Sequence, residues 1–154
     1  MRQILIHCLE SIGLKSLISE IYFNLRTKGI KKVKPQIIRA LPHDPTAFTQ
    51  GLVYYNHTLY ESTGLVGNSR LRCLDPENGN LINEIAIEGE WCEGIAIVNN
   101  RLIQLTYTAG RAIVYDIYSL KPYQELSYEG EGWGLAGCGN LFLMSNGTNK
   151  LFYR

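Results

Sequence analysis

The sequence is poor in charge, in paired cysteines and in long apolar runs. Charged residues make up 19% of the 154 positions, too few for a disordered chain. No run approaches the ~18 consecutive apolar residues of a membrane-spanning helix, so no membrane span is expected. Cysteine stands only at 8, 73, 92 and 138. No two form C-x-x-C, and no histidine lies at zinc-ligand spacing from them, which argues against a metal site. Three of the four fall in the main body, an odd number that argues against a disulfide framework and for mostly buried free thiols. A phosphate-cradling glycine loop and a Ser-His-Asp arrangement are both missing, and no pattern calls for a cofactor. His43 and His57 lie in loops with no visible partner.

What is abundant points to β-structure. Apolar residues reach 45%, enough for a core, with Gly at 15 and Tyr at 10 against Phe at 4. That balance favours short strands joined by tight turns. The net charge of +1 hides an asymmetry. Residues 1–39 carry eight Lys/Arg against two Glu, and residues 40–154 carry seven Lys/Arg against twelve Asp/Glu. The basic run RTKGIKKVK is short and has no interleaved aromatics, so it reads as a solvated linker, and no nucleic-acid partner is expected. Ahead of it, Leu5, Leu9, Leu14, Leu17, Ile18 and Ile21 fit helical spacing. A weak amphipathic helix is the plain reading, and a degenerate export leader is the alternative. Residues 1–35 are therefore expected to form an N-terminal helix and basic linker, and residues 36–154 a β-domain.

Three stretches of that domain have nearly the same shape: FTQGLVYYNHTLYESTG, WCEGIAIVNNRLIQLTY and EGWGLAGCGNLFLMSNG. They align on Gly51, Gly94 and Gly134, at intervals of 43 and 40 residues. A period of about 40–45 residues is that of propeller blades, each a four-stranded antiparallel sheet. The first period reads as strands at 50–55, 58–63, 69–75 and 81–87, the second as strands at 93–98, 101–107, 111–117 and 123–127. The third begins at 132–137 and 141–145. Asn56-His57 and Asn99-Asn100 supply hairpin turns. An immunoglobulin-like sandwich has similar strand spacing, but it does not account for near-copies every 40 residues. The expected fold is all-β, an incomplete β-propeller of about two and a half blades preceded by a short helix. Gln36–Leu41 (QIIRAL) reads as one further strand. Two and a half blades cannot close a ring, so the chain reads as the front of a larger domain: a truncated product, a fragment, or a protomer that self-associates through its open edges.

The inner strand of a blade lines the central channel, and the residues at its start face the channel mouth. Gln50, Glu93 and Trp133 each stand immediately before an aligned glycine, so the repeat brings an amide, a carboxylate and an indole to one opening. Gln50 as a turn cap and Trp133 as a core aromatic remain open readings. Glu93, between Cys92 and the apolar GIAIV run, is harder to explain that way. Burial there is expected and would raise its pKa, which suits general acid–base work.

PHDPTAFTQGL, YESTGLVGNSRL, EGI…LTY, EGWGL and MSNGT, in this order from about Leu41 to Gly147, resemble the plant and bacterial type of glutaminyl cyclase, or glutamine cyclotransferase. The resemblance implies a five-bladed propeller that converts the N-terminal glutamine of a peptide to pyroglutamate and releases ammonia, an acyltransferase. It implies no cofactor. By it, Glu93 matches the catalytic glutamate, and Phe48, Gln50, Tyr107 and Trp133 match residues of the substrate pocket. Tyr107 stands where the family has Trp, Cys92 where it has Gly, and Trp91 where it has Phe. The family chain continues for roughly two more blades, which supply further pocket residues including a Lys, an Asn and another Trp. The 154-residue chain alone is therefore expected to have little or no cyclase activity. Family members are often exported, although no clear signal peptide is visible here. The alternative function is a non-catalytic propeller module that binds a peptide or protein, or an inactive remnant.

Overall fold

The structure, a computed structural model, describes residues 14–31 and 33–154. It divides into two compact units, Met1–Arg39 and Ala40–Arg154. The start of the amphipathic segment lies outside the described residues. Its continuation is a helix, α1 (Leu14–Arg26). Thr27 ends it by turning both its amide and its hydroxyl onto the Phe23 carbonyl, at 2.9 and 2.8 Å. No helix among the described residues is long and apolar enough to cross a membrane.

The second unit is three antiparallel sheets in chain order. β1 (Thr49–Tyr55), β2 (Thr58–Thr63), β3 (Arg70–Leu74) and β4 (Leu81–Ala86) form the first. β5 (Cys92–Val98), β6 (Arg101–Thr106), β7 (Arg111–Asp116) and β8 (Pro122–Ser127) form the second. β9 (Leu135–Cys138), β10 (Leu141–Ser145) and β11 (Leu151–Tyr153) form the third. Each strand pairs with the next, so each sheet is a propeller blade. The chain is two full blades and three strands of another, a partial propeller.

The turns follow from residues that tolerate left-handed backbone. Asn56 and His57 have φ of 50° and 59°, and Asn99 and Asn100 have 52° and 59°. Two successive positive φ values match the right-handed twist of the flanking strands. Gly139 makes the corresponding turn in the third blade with φ 60°.

Packing between blades uses strand alternation. Along β5, Ile95 and Ile97 face the first blade, while Ala96 and Val98 face the third. β7 does the same, with Ile113 and Tyr115 on one side and Ala112 and Val114 on the other. The middle blade is therefore buried on both faces, which is why GIAIV and RAIVY read as continuous apolar runs. Leu71 and Leu102 are fully buried between the first two blades, each worth about 1.5–3 kcal/mol of transfer free energy. The outermost strands β4 and β8 are exposed along nearly their whole length.

Gln36–Leu41 is not a strand. Ile37 and Ile38 are 85% and 91% exposed. A strand needs an edge to pair with, and among the described residues no strand forms a ladder with this segment.

Candidate active site

The three aligned glycines sit where the inner strands approach backbone to backbone. β1 lies beside β5, and β5 beside β9. A Cβ on Gly51 would meet the Ile95 amide nitrogen at 2.7 Å, and one on Gly94 would meet the Trp133 carbonyl oxygen at 2.6 Å. No side chain fits in either place. The Gly94 amide instead donates to that Trp133 carbonyl at 2.8 Å, tying the second blade to the third. The glycines thus make the rim narrow enough for the residues before them to share one opening.

Bulges then aim the first two of those residues. In β1, Thr49 pairs with Thr63 and Gly51 with Ser62, which leaves Gln50 out of the ladder. In β5, Cys92 pairs with Thr106 and Ile95 with Gln104, so Glu93 and Gly94 together oppose Leu105. Such bulges break pairing locally and redirect a side chain. Cys92 turns inward, fully buried, with its amide donating to Ser69 Oγ at 3.0 Å. Burial pushes the Cys92 thiol up to about 12, so it is an inert small hydrophobe at neutral pH. Cys73 is also buried and free, whereas Cys138 is exposed.

Phe48, Gln50, Trp91, Glu93, Tyr107, Trp133 and Gly134 line a single cleft of about 510 Å³. All five residues singled out from the sequence are therefore brought to one place. Trp91 is the centre of its aromatic wall: its ring meets Phe48 edge-on at 6.0 Å and Tyr107 at a tilt at 6.1 Å. Trp91 is not among the pocket residues selected from the sequence. Its position directly before Cys92-Glu93, equivalent to Phe48 in the first blade, was the available signal.

Glu93 is half-buried. Burial raises its carboxyl above the ordinary value, and the nearby Trp91 indole partly offsets this by favouring the charged form. The two are not in hydrogen-bonding geometry, for Trp91 Nε1 is buried with no hydrogen-bond partner among the described residues. Gly64 leaves room for that indole, since a Cβ there would stand 2.7 Å from Nε1 and 2.9 Å from the Gln50 side chain.

The third blade adds a carboxylate that the sequence reading did not select. Glu131 Oε2 accepts the Trp133 indole N–H at 2.8 Å. The Glu131 charge also raises the Tyr107 hydroxyl pKa, with smaller contributions from burial and from Glu93. Trp133 is held from another side by the backbone at Gly147, where a Cβ would come within 2.5 Å of the ring. The Glu-Gly-Trp spacing was the only clue, because Glu131 and Trp133 flank one residue on an extended segment and point to the same side.

His43, which has no visible partner in the sequence, has one in the structure. Its Nε2 lies 2.7 Å from Glu61 Oε1. It is not among the residues that line the cleft.

The sequence profile of the glutamine cyclotransferase family matches residues 9–154. A glutaminyl-peptide cyclotransferase of Arabidopsis thaliana is 38% identical over 122 residues, covering 76% of this chain and 38% of that protein. The crystal structure of Myxococcus xanthus glutaminyl cyclase superposes with a TM-score of 0.70 at 33% identity, over 77% of this chain and 50% of that one. The WD40 domain of Neurospora crassa Pan2 matches at TM-score 0.57 with 8% identity, a likeness of propeller fold alone. The chain thus spans half or less of the length of the two cyclases. With 146 consecutive positions under one family profile, the chain belongs to the glutamine cyclotransferase family.

Proposed function

We propose that the cleft binds the N-terminal glutamine of a peptide and that Glu93 relays the proton that its cyclisation requires. The observation that carries this reading is the half-buried Glu93, with its raised pKa, facing a cleft shared by the Gln50 amide and the rings of Phe48, Tyr107 and Trp133. The relatives named as glutaminyl-peptide cyclotransferase and glutaminyl cyclase support the same chemistry.

The reaction needs little from the protein beyond placement and one proton transfer. The substrate α-amine attacks the carbon of its own γ-carboxamide. A C–N bond forms and closes the five-membered lactam, and the bond from that carbon to the carboxamide nitrogen breaks. The amine loses one proton, and the departing nitrogen gains one and leaves as ammonia. Both reacting groups belong to one residue, so holding the right rotamer supplies most of the advantage. Gln50 hydrogen-bonds the carboxamide, and the aromatic wall confines the aliphatic stem. Glu93 takes the proton from the amine as a base and returns it to the leaving nitrogen as an acid. A raised carboxyl pKa narrows the gap to the amine and eases both transfers. Such a shuttle contributes about 10²–10⁴-fold in rate.

The test is ammonia release from a glutamine-initiated dipeptide, run beside Glu93→Gln and beside a measurement of dipeptide binding. Release that depends on Glu93 supports the reading. Release unaffected by the substitution removes Glu93 from the reaction. Binding without release assigns the chain as a recognition module.

A further inference from the structure

We infer that buried Glu61 is a positioning residue for the cleft, acting through Thr49 on Phe48 and Gln50. This rests on the proposed function only where activity is the readout. Glu61 is fully buried in β2, where an unpaired carboxylate is costly. It has three partners. Thr49 Oγ1 donates to its Oε1 at 2.5 Å, His43 Nε2 lies 2.7 Å from the same oxygen, and Arg72 Nη1 donates to Oε2 at 3.0 Å. Arg72 is in turn held by Asp44 Oδ2 at 3.2 Å and by Glu84 Oε2 at 3.4 Å. The Thr46 hydroxyl and amide hold the Asp44 carboxyl below its ordinary value, which keeps it charged for that pairing.

The placement of this cluster gives it a job. His43, Asp44 and Thr49 bracket the loop that ends in Phe48, so Glu61 and Arg72 pin that loop at both ends. Thr49 lies between the two cleft residues. Its side chain turns away from the cleft to Glu61, whereas its neighbours Phe48 and Gln50 line the cleft. Gln50 stands in a bulge and has no ladder pairing of its own. The Thr49–Glu61 bond is thus the nearest side-chain anchor that fixes where the Gln50 amide and the Phe48 ring lie. A charge-assisted bond onto a buried carboxylate holds that geometry tightly.

Thr49→Val keeps the shape and removes the hydroxyl, and Thr49→Ser restores it. Glu61→Gln removes the charge at the other end. Trp91 and Trp133 are the only two tryptophans, so an amide NMR spectrum shows two indole N–H signals. Phe48→Leu identifies the Trp91 signal through the ring contact. The expected result for Thr49→Val is a displaced Trp91 signal with an unmoved Trp133 signal. KM for a glutamine-initiated dipeptide rises about tenfold with kcat within about twofold, since Glu93 sits on another blade. Thr49→Ser returns both readouts to the parent values. Overturning results are an unmoved Trp91 signal, or a lower melting temperature with KM unchanged. If the parent chain shows no turnover, the functional reading has failed on its own, and the indole signals still decide the positioning.

Discussion

Glu93 is placed where chemistry and stability oppose each other. Burial penalises its charged form, so the folded chain holds the proton to higher pH than the unfolded chain does. Its contribution to stability is whole in acid and is lost as pH rises through the folded pKa. Glu93→Gln removes that loss. At about pH 7 its urea midpoint lies at or above the parent's, and the gap closes as pH falls below 4.5, the ordinary carboxyl value. A variant less stable than the parent at neutral pH contradicts the assignment of a desolvated carboxylate. Under the proposed shuttle, which starts from the ionised form, the same shift is expected to place the acid limb of kcat above pH 4.5. In the proposed pocket Tyr107 contributes its ring more than its hydroxyl, which faces Glu131. Tyr107→Phe is expected to bind the dipeptide within about threefold of the parent, and Tyr107→Ala about tenfold more weakly, as titration of each variant measures.

At the scale of elements, the site depends on inner strands that touch through glycine. Gly94→Ala places a methyl 2.6 Å from the Trp133 carbonyl, and relieving that contact breaks the bond between the Gly94 amide and the same oxygen. The expected cost is about 1–3 kcal/mol in chemical denaturation. It comes with weaker dipeptide binding, since Trp133 moves with its backbone. Unchanged stability contradicts the close approach. These glycines were legible in the sequence because the repeat exposed them, and so were the Asn-rich turns. Strands 58–63 and 141–145 needed no change, and most other ends moved by one residue. The bulges were not legible. Nothing in Thr-Gln-Gly or Cys-Glu-Gly announces an unpaired residue, for a bulge is decided by what the partner strand can match. Gln36–Leu41 misled for a related reason: its short apolar, β-branched run suggests a strand, but a strand exists only with a partner strand.

Over the whole molecule, repetition turns residues about 40 positions apart into neighbours. Gln50, Glu93 and Trp133 lie on three blades and line one cleft. That much followed from period and alignment. The supporting contacts did not, because they cross between strands and loops at irregular separations. His43 to Glu61 and Arg72 to Asp44 are 18 and 28 residues apart, and no pattern links them. Family likeness supplied the reaction, and geometry supplied the reason these side chains suit it. The most direct test is the rate of ammonia release from a glutamine-initiated dipeptide by this chain and by Glu93→Gln. The predicted result is release, slow in absolute terms, that the substitution lowers by about 10²-fold or more while dipeptide binding persists. Equal release from both proteins, or none from the parent, contradicts it.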